Sequence, residues 1–382
     1  MNRLALSLLV VTVILTTLGL FILYESSSYT AQLDLHDKYY FIKNQSIWIF
    51  LGIIAAIVVS RLKESFLYNI SLLLLVATLF ALLLVFLPVI GLELNGSRRW
   101  INLGISIFQP SELLKITLSL YLASWLSIKE KGRLMAFLIL LGIASGLVLL
   151  QPDLKTAIII GATSFIVYFV SGASMREVAP ILIVGLIGIV LLAGASPYRV
   201  KRLTAFQNLD VHNLSSTSYH TKQIVIALGS GGLTGVGFGN SVQKYAYLPE
   251  HTTDSIFAIF AEEAGYVGSA ILVAIYIALS TIGILIAANA RTQFGKLLAT
   301  GITVFITIQA IINLASQAIL IPLTGVPLPF ISYGGSSMLI NFVAIGLLLN
   351  IALEKVPAPR KVNGKKKSLT KTRSGYFGRF KR

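Results

Sequence analysis

The chain contains no cysteine, which excludes disulfides and thiolate metal sites. Charge is nearly as scarce. Only 12% of the residues are Asp, Glu, Lys or Arg, against roughly 25% in soluble domains, while 55% are hydrophobic. A chain of 382 residues with that balance reads as one bundle of membrane spans rather than two or three soluble domains. Histidine is sparse too: His36, His212, His220 and His251 form neither H-E-x-x-H nor another compact metal spacing, which argues against a protein-only metal site. Acids number 15 against 31 basic residues, a net charge of +16 that would suit nucleic acid were it spread over the chain. Instead, eleven of the basic residues lie from Lys355 onward, behind the last apolar run, where a basic tail meets anionic headgroups. No nucleic-acid partner is expected.

What is abundant is apolar sequence. Runs of about 20 residues divide the chain into ten candidate spans, near residues 4–24, 46–60, 69–90, 111–128, 134–150, 156–171, 178–195, 255–285, 298–320 and 335–353. The fold class is therefore an all-α polytopic membrane protein with ten transmembrane helices. The first run follows Arg3 without an A-x-A cleavage site and reads as a retained helix, not a signal peptide. An even number of spans puts both termini on one side, and the Lys and Arg distribution, dominated by the tail, makes that side the cytoplasm. The long connection at 196–254, between the seventh and eighth runs, is then extracytoplasmic. Long loops of this kind are functional or disordered, and Tyr198, Phe206, Ile224, Val225, Ile226 and Leu228 make this one too apolar for disorder. It is expected to fold, in part as an interfacial amphipathic helix. The eighth run is long enough to break at Gly265 or Gly268. Residues 1–354 thus form one transmembrane domain, and 355–382 a basic tail with the composition of a disordered segment. No internal repeat of the kind many secondary transporters carry is visible.

The polar residues gather in a few stretches. Tyr245–Gly268 sets Asp254, Glu262 and Glu263 beside a lipid-compatible run; an ionisable group at membrane depth costs about 2.5–3.5 kcal/mol on insertion scales and is a functional candidate by default. Asp254 equally suits the N-cap of a helix beginning at Ser255. In Asn95–Lys115, Arg98 and Arg99 can hold phosphate or carboxylate, Trp100 suits the interface, Pro110 marks a helix start with Gln109 or Ser111 as cap, and Glu112 and Lys115 lie one turn apart. An interfacial anchor with a simple ion pair explains the same residues. Gln151–Ala157 reads as a capped turn carrying Asp153 and Lys155. The glycines of residues 229–239 do not match G-x-x-x-x-G-K-[ST] and fit close backbone approach to a ligand or another helix. In Ile321–Ser337, which contains Ser332, three prolines prevent regular helix, and a broken segment at membrane depth is tolerated where protein or a cavity surrounds it.

Taken in order, RRWINLG, FQPSELLK, QPDLKTA, GVGFGNSVQKYAYLPEHTTDSIFAIFAEEAGYVG and PLTGVPLPFISYGGSS resemble the SEDS family (shape, elongation, division and sporulation), over nearly the whole chain up to Glu354. SVQKYAYLPE followed by TTDSIF is most like its FtsW branch. The resemblance implies ten transmembrane helices, cytoplasmic termini and a large extracytoplasmic loop between helices seven and eight. It also implies a peptidoglycan glycosyltransferase of the bacterial cytoplasmic membrane that polymerises lipid II and releases undecaprenyl diphosphate during septal synthesis. The alternatives are a lipid II flippase or a RodA-type elongation polymerase. By similarity Asp254 is the essential aspartate, and Trp100 and Lys115 are functional. Arg98, Arg99 and Lys115 are candidate diphosphate binders, with Glu112, Glu250 and Ser332 as further substrate-binding candidates. A divalent cation, Mg2+ or Mn2+, is expected with the diphosphate, and no organic cofactor. The expected partners are a class B penicillin-binding protein and other divisome proteins. Two departures stand out: HTTD replaces A-H-T-D, moving the histidine to His251, and Lys155 replaces the glycine of QPDLGT.

Overall fold

The computed structural model describes residues 3–94, 97–102, 104, 107–128, 130, 132–194, 200, 202, 204, 206, 216–245 and 247–354. The basic tail and most of 195–215 lie outside them. Three helices open the chain, α1 (Arg3–Leu35), α2 (Tyr40–Ser60) and α3 (Glu64–Leu84). They are followed by a three-stranded antiparallel sheet, β1 (Gly91–Leu94), β2 (Ser97–Asn102) and β3 (Ile107–Phe108), in the order β1-β2-β3. Then come α4 (Pro110–Leu126), α5 (Leu134–Leu150), α6 (Leu154–Val170), α7 (Met175–Gly194), α8 (Ser216–Gly231), α9 (Ile256–Ala288), α10 (Gln293–Gln317) and α11 (Gly335–Leu353).

Burial sorts these helices into centre and rim. The apolar windows of α11 and α10 are 72% and 61% buried, whereas that of α2 is 22% buried, with Phe50, Ile57 and Val58 turned outward. Rim helices with apolar outer faces match a lipid surround. Among the described residues, six helices are long and apolar enough to cross a membrane: α1, α2, α3, α9, α10 and α11. The core runs where α4, α6 and α10 meet, and α4 is buried along almost its whole length.

Local chemistry fixes the ends. Pro110 takes the first position of α4, where its missing N–H costs nothing, although neither Gln109 nor Ser111 caps the helix through its side chain. Asp153 caps α6 by accepting from the Thr156 amide at 3.2 Å and hydroxyl at 2.8 Å, as the capped-turn reading expects. At the other end of the bundle, Asn350 of α11 donates to the carbonyls of Val59, Ser60 and Leu62, satisfying orphan acceptors at the end of α2. The same two helices approach closely. Gly52 lies under the Phe342 ring, and a Cβ on Gly346 would stand 2.6 Å from the Ala56 carbonyl oxygen, the small-residue contact that lipid-embedded helices favour.

Several element bounds differ from the expected ones, and two stretches take definite form. The RRWIN stretch lies in the sheet at 91–108, where Trp100 pairs with Leu92 and Arg98 with Glu93 across a bulged register. The third span ends at Leu84, not near residue 90, because that chain turns into the sheet, and the second begins at Tyr40. Helix α8, within the long loop, buries Ile224 and Ala227 against Leu248 and against Ala258 and Ile259 of α9, while its Val225 and Ile226 stay exposed.

Replacing Gly346 with Val is expected to cost about 1–3 kcal/mol, the usual penalty of overpacking. Thermal melting of the purified protein in detergent reads this as a lowered midpoint. Gly142→Ala, where a Cβ meets nothing within 4 Å, serves as the unperturbed control.

Candidate active site

The break in α9 comes first, because it shapes the polar end of the bundle. Gly265 has φ 66° and ψ −167°, so helical hydrogen bonding stops there. The turn after α8 fills the gap. Tyr266 and Val267 donate their amides to the carbonyls of Gly232 and Leu233, while the carbonyls of Glu262 and Glu263 accept from Val236 and Gly237. This exchange requires near contact of backbones. A Cβ on Gly235 would lie 2.0 Å from the Glu263 carbonyl, and one on Gly265 would lie 2.3 Å from the Gly235 nitrogen, so the glycine cluster serves close approach to a helix. The two glutamates hold the loop beyond it. Glu262 accepts from Ser230, the Ser241 hydroxyl and the amides of Val242 and Gln243, and Glu263 accepts from the Gly239 amide and from Lys244. Both are structural acids.

Asp254 stands just ahead of α9. The N-cap position of α9 is Ser255, whose side chain makes no capping bond, so the expected cap role of Asp254 is not realised. Its backbone is held firmly from the opposite side. Asn313 of α10 donates to the Asp254 carbonyl at 2.9 Å, Ser332 donates to the Thr253 carbonyl at 2.6 Å, and the Tyr333 amide donates to the Thr252 carbonyl at 3.0 Å. The side chain is treated differently. Among the described residues no hydrogen bond or ion pair reaches its carboxylate. The residue keeps partial exposure while its carboxyl group is enclosed by protein. Burial pushes its pKa up, Lys155 pulls it back, Glu250 pushes it up again and Arg202 opposes that. A fixed carboxyl with a raised pKa and no partner is equipped to take a proton from a ligand hydroxyl.

The proline-rich segment 321–334 lies across this residue as a strap. Its carbonyls are held by long side chains: Leu323 by Arg202, Gly325 by Lys155, Val326 by Asn313, Pro327 by Gln309 and Pro329 by Tyr276. Gly325 has φ 72°, and a Cβ there would stand 2.8 Å from Asp254 Oδ2, so only glycine fits between strap and carboxylate.

The other sequence candidates occupy distinct settings. Lys115 is 3% exposed; its ammonium donates to both Glu112 oxygens at 2.9 Å and to Gln309 at 2.7 Å. Gln309 in turn holds the strap. Arg99 spends its guanidinium on the carbonyls of Gln151 and Pro152, ahead of α6. Arg98 pairs with Glu93 on the sheet's exposed side, and Trp100 is half-buried in β2. Glu250, at φ 53°, accepts from the Thr253 hydroxyl at 2.8 Å. The Ser332 hydroxyl lies between the Thr253 carbonyl and the Leu328 amide. Glu250 and Ser332 are thus gathered around Asp254, Lys115 and Glu112 lie beneath the strap, and Arg98 and Arg99 serve the sheet and the adjoining turn. A cleft of about 410 Å³ between Tyr68, Tyr121, Trp125 and Arg133 opens at the C-terminal end of α4, far from Asp254.

Four neighbours were missed by sequence reasoning. Gln309 and Asn313 lie four apart on one helical face, a polar pair inside an apolar run that was readable as such. Lys155 stands in the sequence as the replacement of a family glycine in a turn, without a role of its own. His220 had no local signal; its Nε2 meets the Ser255 hydroxyl at 2.7 Å.

Fold and site together define a multi-pass helical membrane protein with an enclosed carboxylate at one end of its bundle that no hydrogen bond or ion pair reaches among the described residues. The chain belongs to the FtsW, RodA and SpoVE family of cell cycle proteins, whose family model matches residues 5–356. It is 38% identical over 351 residues to stage V sporulation protein E of Bacillus subtilis, covering 90% of this chain and 96% of that protein. It is 39% identical over 356 residues to a probable peptidoglycan glycosyltransferase FtsW of Coxiella burnetii, covering 91% and 95%. Among solved structures it resembles a chain of a peptidoglycan synthase complex that coordinates polymerization and crosslinking, with TM-score 0.74, 28% identity and coverage of 90% and 96%. It also resembles the rod shape determining protein RodA of Thermus thermophilus, with TM-score 0.67, 27% identity and coverage of 90% and 95%.

Burial, then the charge of Arg202, pushes the His220 pKa down to about 4 against the pull of Glu250. The folded state therefore holds neutral imidazole while the unfolded chain takes up a proton below its ordinary value of 6.5. Stability contributed by this group is present above that value and is lost as pH falls toward about 4. Melting curves across that window are expected to show a shallower decline in His220→Gln than in the parent.

Proposed function

We propose that this chain is a peptidoglycan glycosyltransferase that polymerises lipid II into glycan strands during septal wall synthesis, with Asp254 as the general base. The observation that carries the reading is the Asp254 carboxylate itself: its backbone is fixed by Asn313, Ser332 and Tyr333, while its own oxygens are left unengaged among the described residues. The names of the relatives support the substrate class. Asp254 takes the proton of the GlcNAc 4-hydroxyl of one lipid II. That oxygen attacks the MurNAc anomeric carbon of the second chain, the bond from that carbon to the phosphate oxygen breaks with inversion, and undecaprenyl diphosphate leaves.

Ten spans follow if α4, α5, α6 and α7 cross the membrane alongside the six longer apolar helices. Both termini then face the cytoplasm, and Asp254 faces the outer side of the cytoplasmic membrane. A divalent cation, Mg2+ or Mn2+, would arrive on the substrate diphosphate and neutralise its charge. The peptidoglycan synthase complex among the structural neighbours supports a class B penicillin-binding protein as partner, crosslinking the strands made here.

Purified chain, supplied with labelled lipid II and Mg2+ or Mn2+ with and without the partner, is expected to form polymer. Asp254→Asn is expected to lower that rate about 10²–10⁴-fold, the contribution of a general base. Polymer at the parental rate in this variant removes Asp254 from the chemistry. Transfer of lipid II across the bilayer without polymer favours the flippase.

A further inference from the structure

Lys155 is the second residue of α6. Asp153 fixes the first turn of that helix through Thr156, and the Lys155 side chain reaches from it to the strap, where its ammonium donates to the Gly325 carbonyl. The same glycine separates it from the carboxylate. From the point where a Cβ on Gly325 would stand, Asp254 Oδ2 lies at 2.8 Å and Lys155 Nζ at 3.6 Å. The two charges thus face each other across a residue with no side chain, and no direct ion pair joins them within 4.0 Å. We propose that Lys155 is a positioning residue for Asp254: it ties the Gly325 turn against the carboxylate and supplies the fixed positive charge that keeps this carboxylate ionised.

Among the described residues, the other titratable and charged groups near Asp254 play different parts. Glu250, from the loop carrying Asp254, acts against ionisation; Arg202, ahead of α8, acts for it but less strongly than Lys155. His220 of α8 contacts the neighbouring Ser255, His251 is turned to Thr30 of α1 and the Leu248 carbonyl, and Asn313 of α10 binds the Asp254 carbonyl rather than its carboxylate. Among the described residues no other cation ties the strap at Gly325.

The sign follows directly. A base works ionised, so removing the positive charge must move the acid limb of the rate profile to higher pH. The inference rests on Asp254 acting as base, and the experiment separates the two. Lipid II polymerisation by the full chain is followed from pH 5 to 9, for the parent, Asp254→Asn, Lys155→Met, Lys155→Gln and Lys155→Arg. Met keeps the length without a donor, Gln keeps a donor without charge, and Arg keeps both. The expected result is an acid limb raised by about one pH unit in Met and Gln, the shift typical of losing one close opposite charge, and a parental limb in Arg. With Asp254→Asn inactive, coincident limbs in the parent, Met and Gln overturn the role of Lys155 while leaving the base in place. A limb in Arg raised by about one pH unit from the parent overturns it too, and that comparison needs neither uncharged variant to fold. Undiminished polymerisation by Asp254→Asn overturns both readings.

Discussion

Where a helix breaks inside an apolar bundle, every freed backbone N–H and carbonyl must find a partner, and this constraint organises the polar end of the molecule. Among the described residues two such places stand out. At Gly265 the partners are other backbone atoms, lent by the turn at 231–237. Along the proline-rich strap they are side chains, with Gln309 and Asn313 of α10, Tyr276 of α9, Lys155 of α6 and Arg202 each taking a carbonyl. The strap cannot shift without freeing one of these acceptors in surroundings that offer few replacements. Asp254 inherits that rigidity, since its own loop is bonded to the strap and to α10.

The buried pair of Glu112 and Lys115 fits the same logic. A paired charge in the interior is weak evidence of stabilisation, yet removing one partner strands the other at a cost of about 3–5 kcal/mol. Lys115 also donates to Gln309, and Gln309 donates to the Pro327 carbonyl. The pair therefore anchors the strap from beneath. Substitution of Lys115 would disturb Asp254 through two hydrogen bonds whether or not the ammonium touches a substrate.

Much of this was legible before the structure, and what was not has a physical reason. Apolar runs announce helices because lipid and core make the same demand, so the helices appear where those runs do, with displaced ends, most of all in α1, which runs past the expected residue 24 to Leu35. The break at Gly265 and the close approach of the glycine cluster follow from residue type. The sheet at 91–108 did not, because six residues of β2 with two arginines and a tryptophan present no apolar alternation long enough to separate strand from surface anchor. Asp254 was legible because a lone acid beside a lipid-compatible run needs an explanation. Its setting was not: Lys155, Arg202, His220 and Asn313 converge on it from four separate parts of the chain, and no local spacing encodes that convergence.

What distinguishes Asp254 from the other enclosed acids is that, among the described residues, no hydrogen bond or ion pair reaches its carboxylate. Glu112 has Lys115; Glu262 and Glu263 are wrapped in amides, hydroxyls and a lysine. Enclosing a polar group without a hydrogen bond costs about 1–3 kcal/mol on mutational scales, and more when it is charged. The chain surrounds Asp254 with donors and then aims them at backbone carbonyls: Asn313 at Asp254's own, Lys155 at Gly325's and Arg202 at Leu323's. None of these three donates to the carboxylate. Spending them on the strap instead leaves the carboxylate rigidly placed and chemically unsatisfied, the condition in which an incoming hydroxyl is its best available partner.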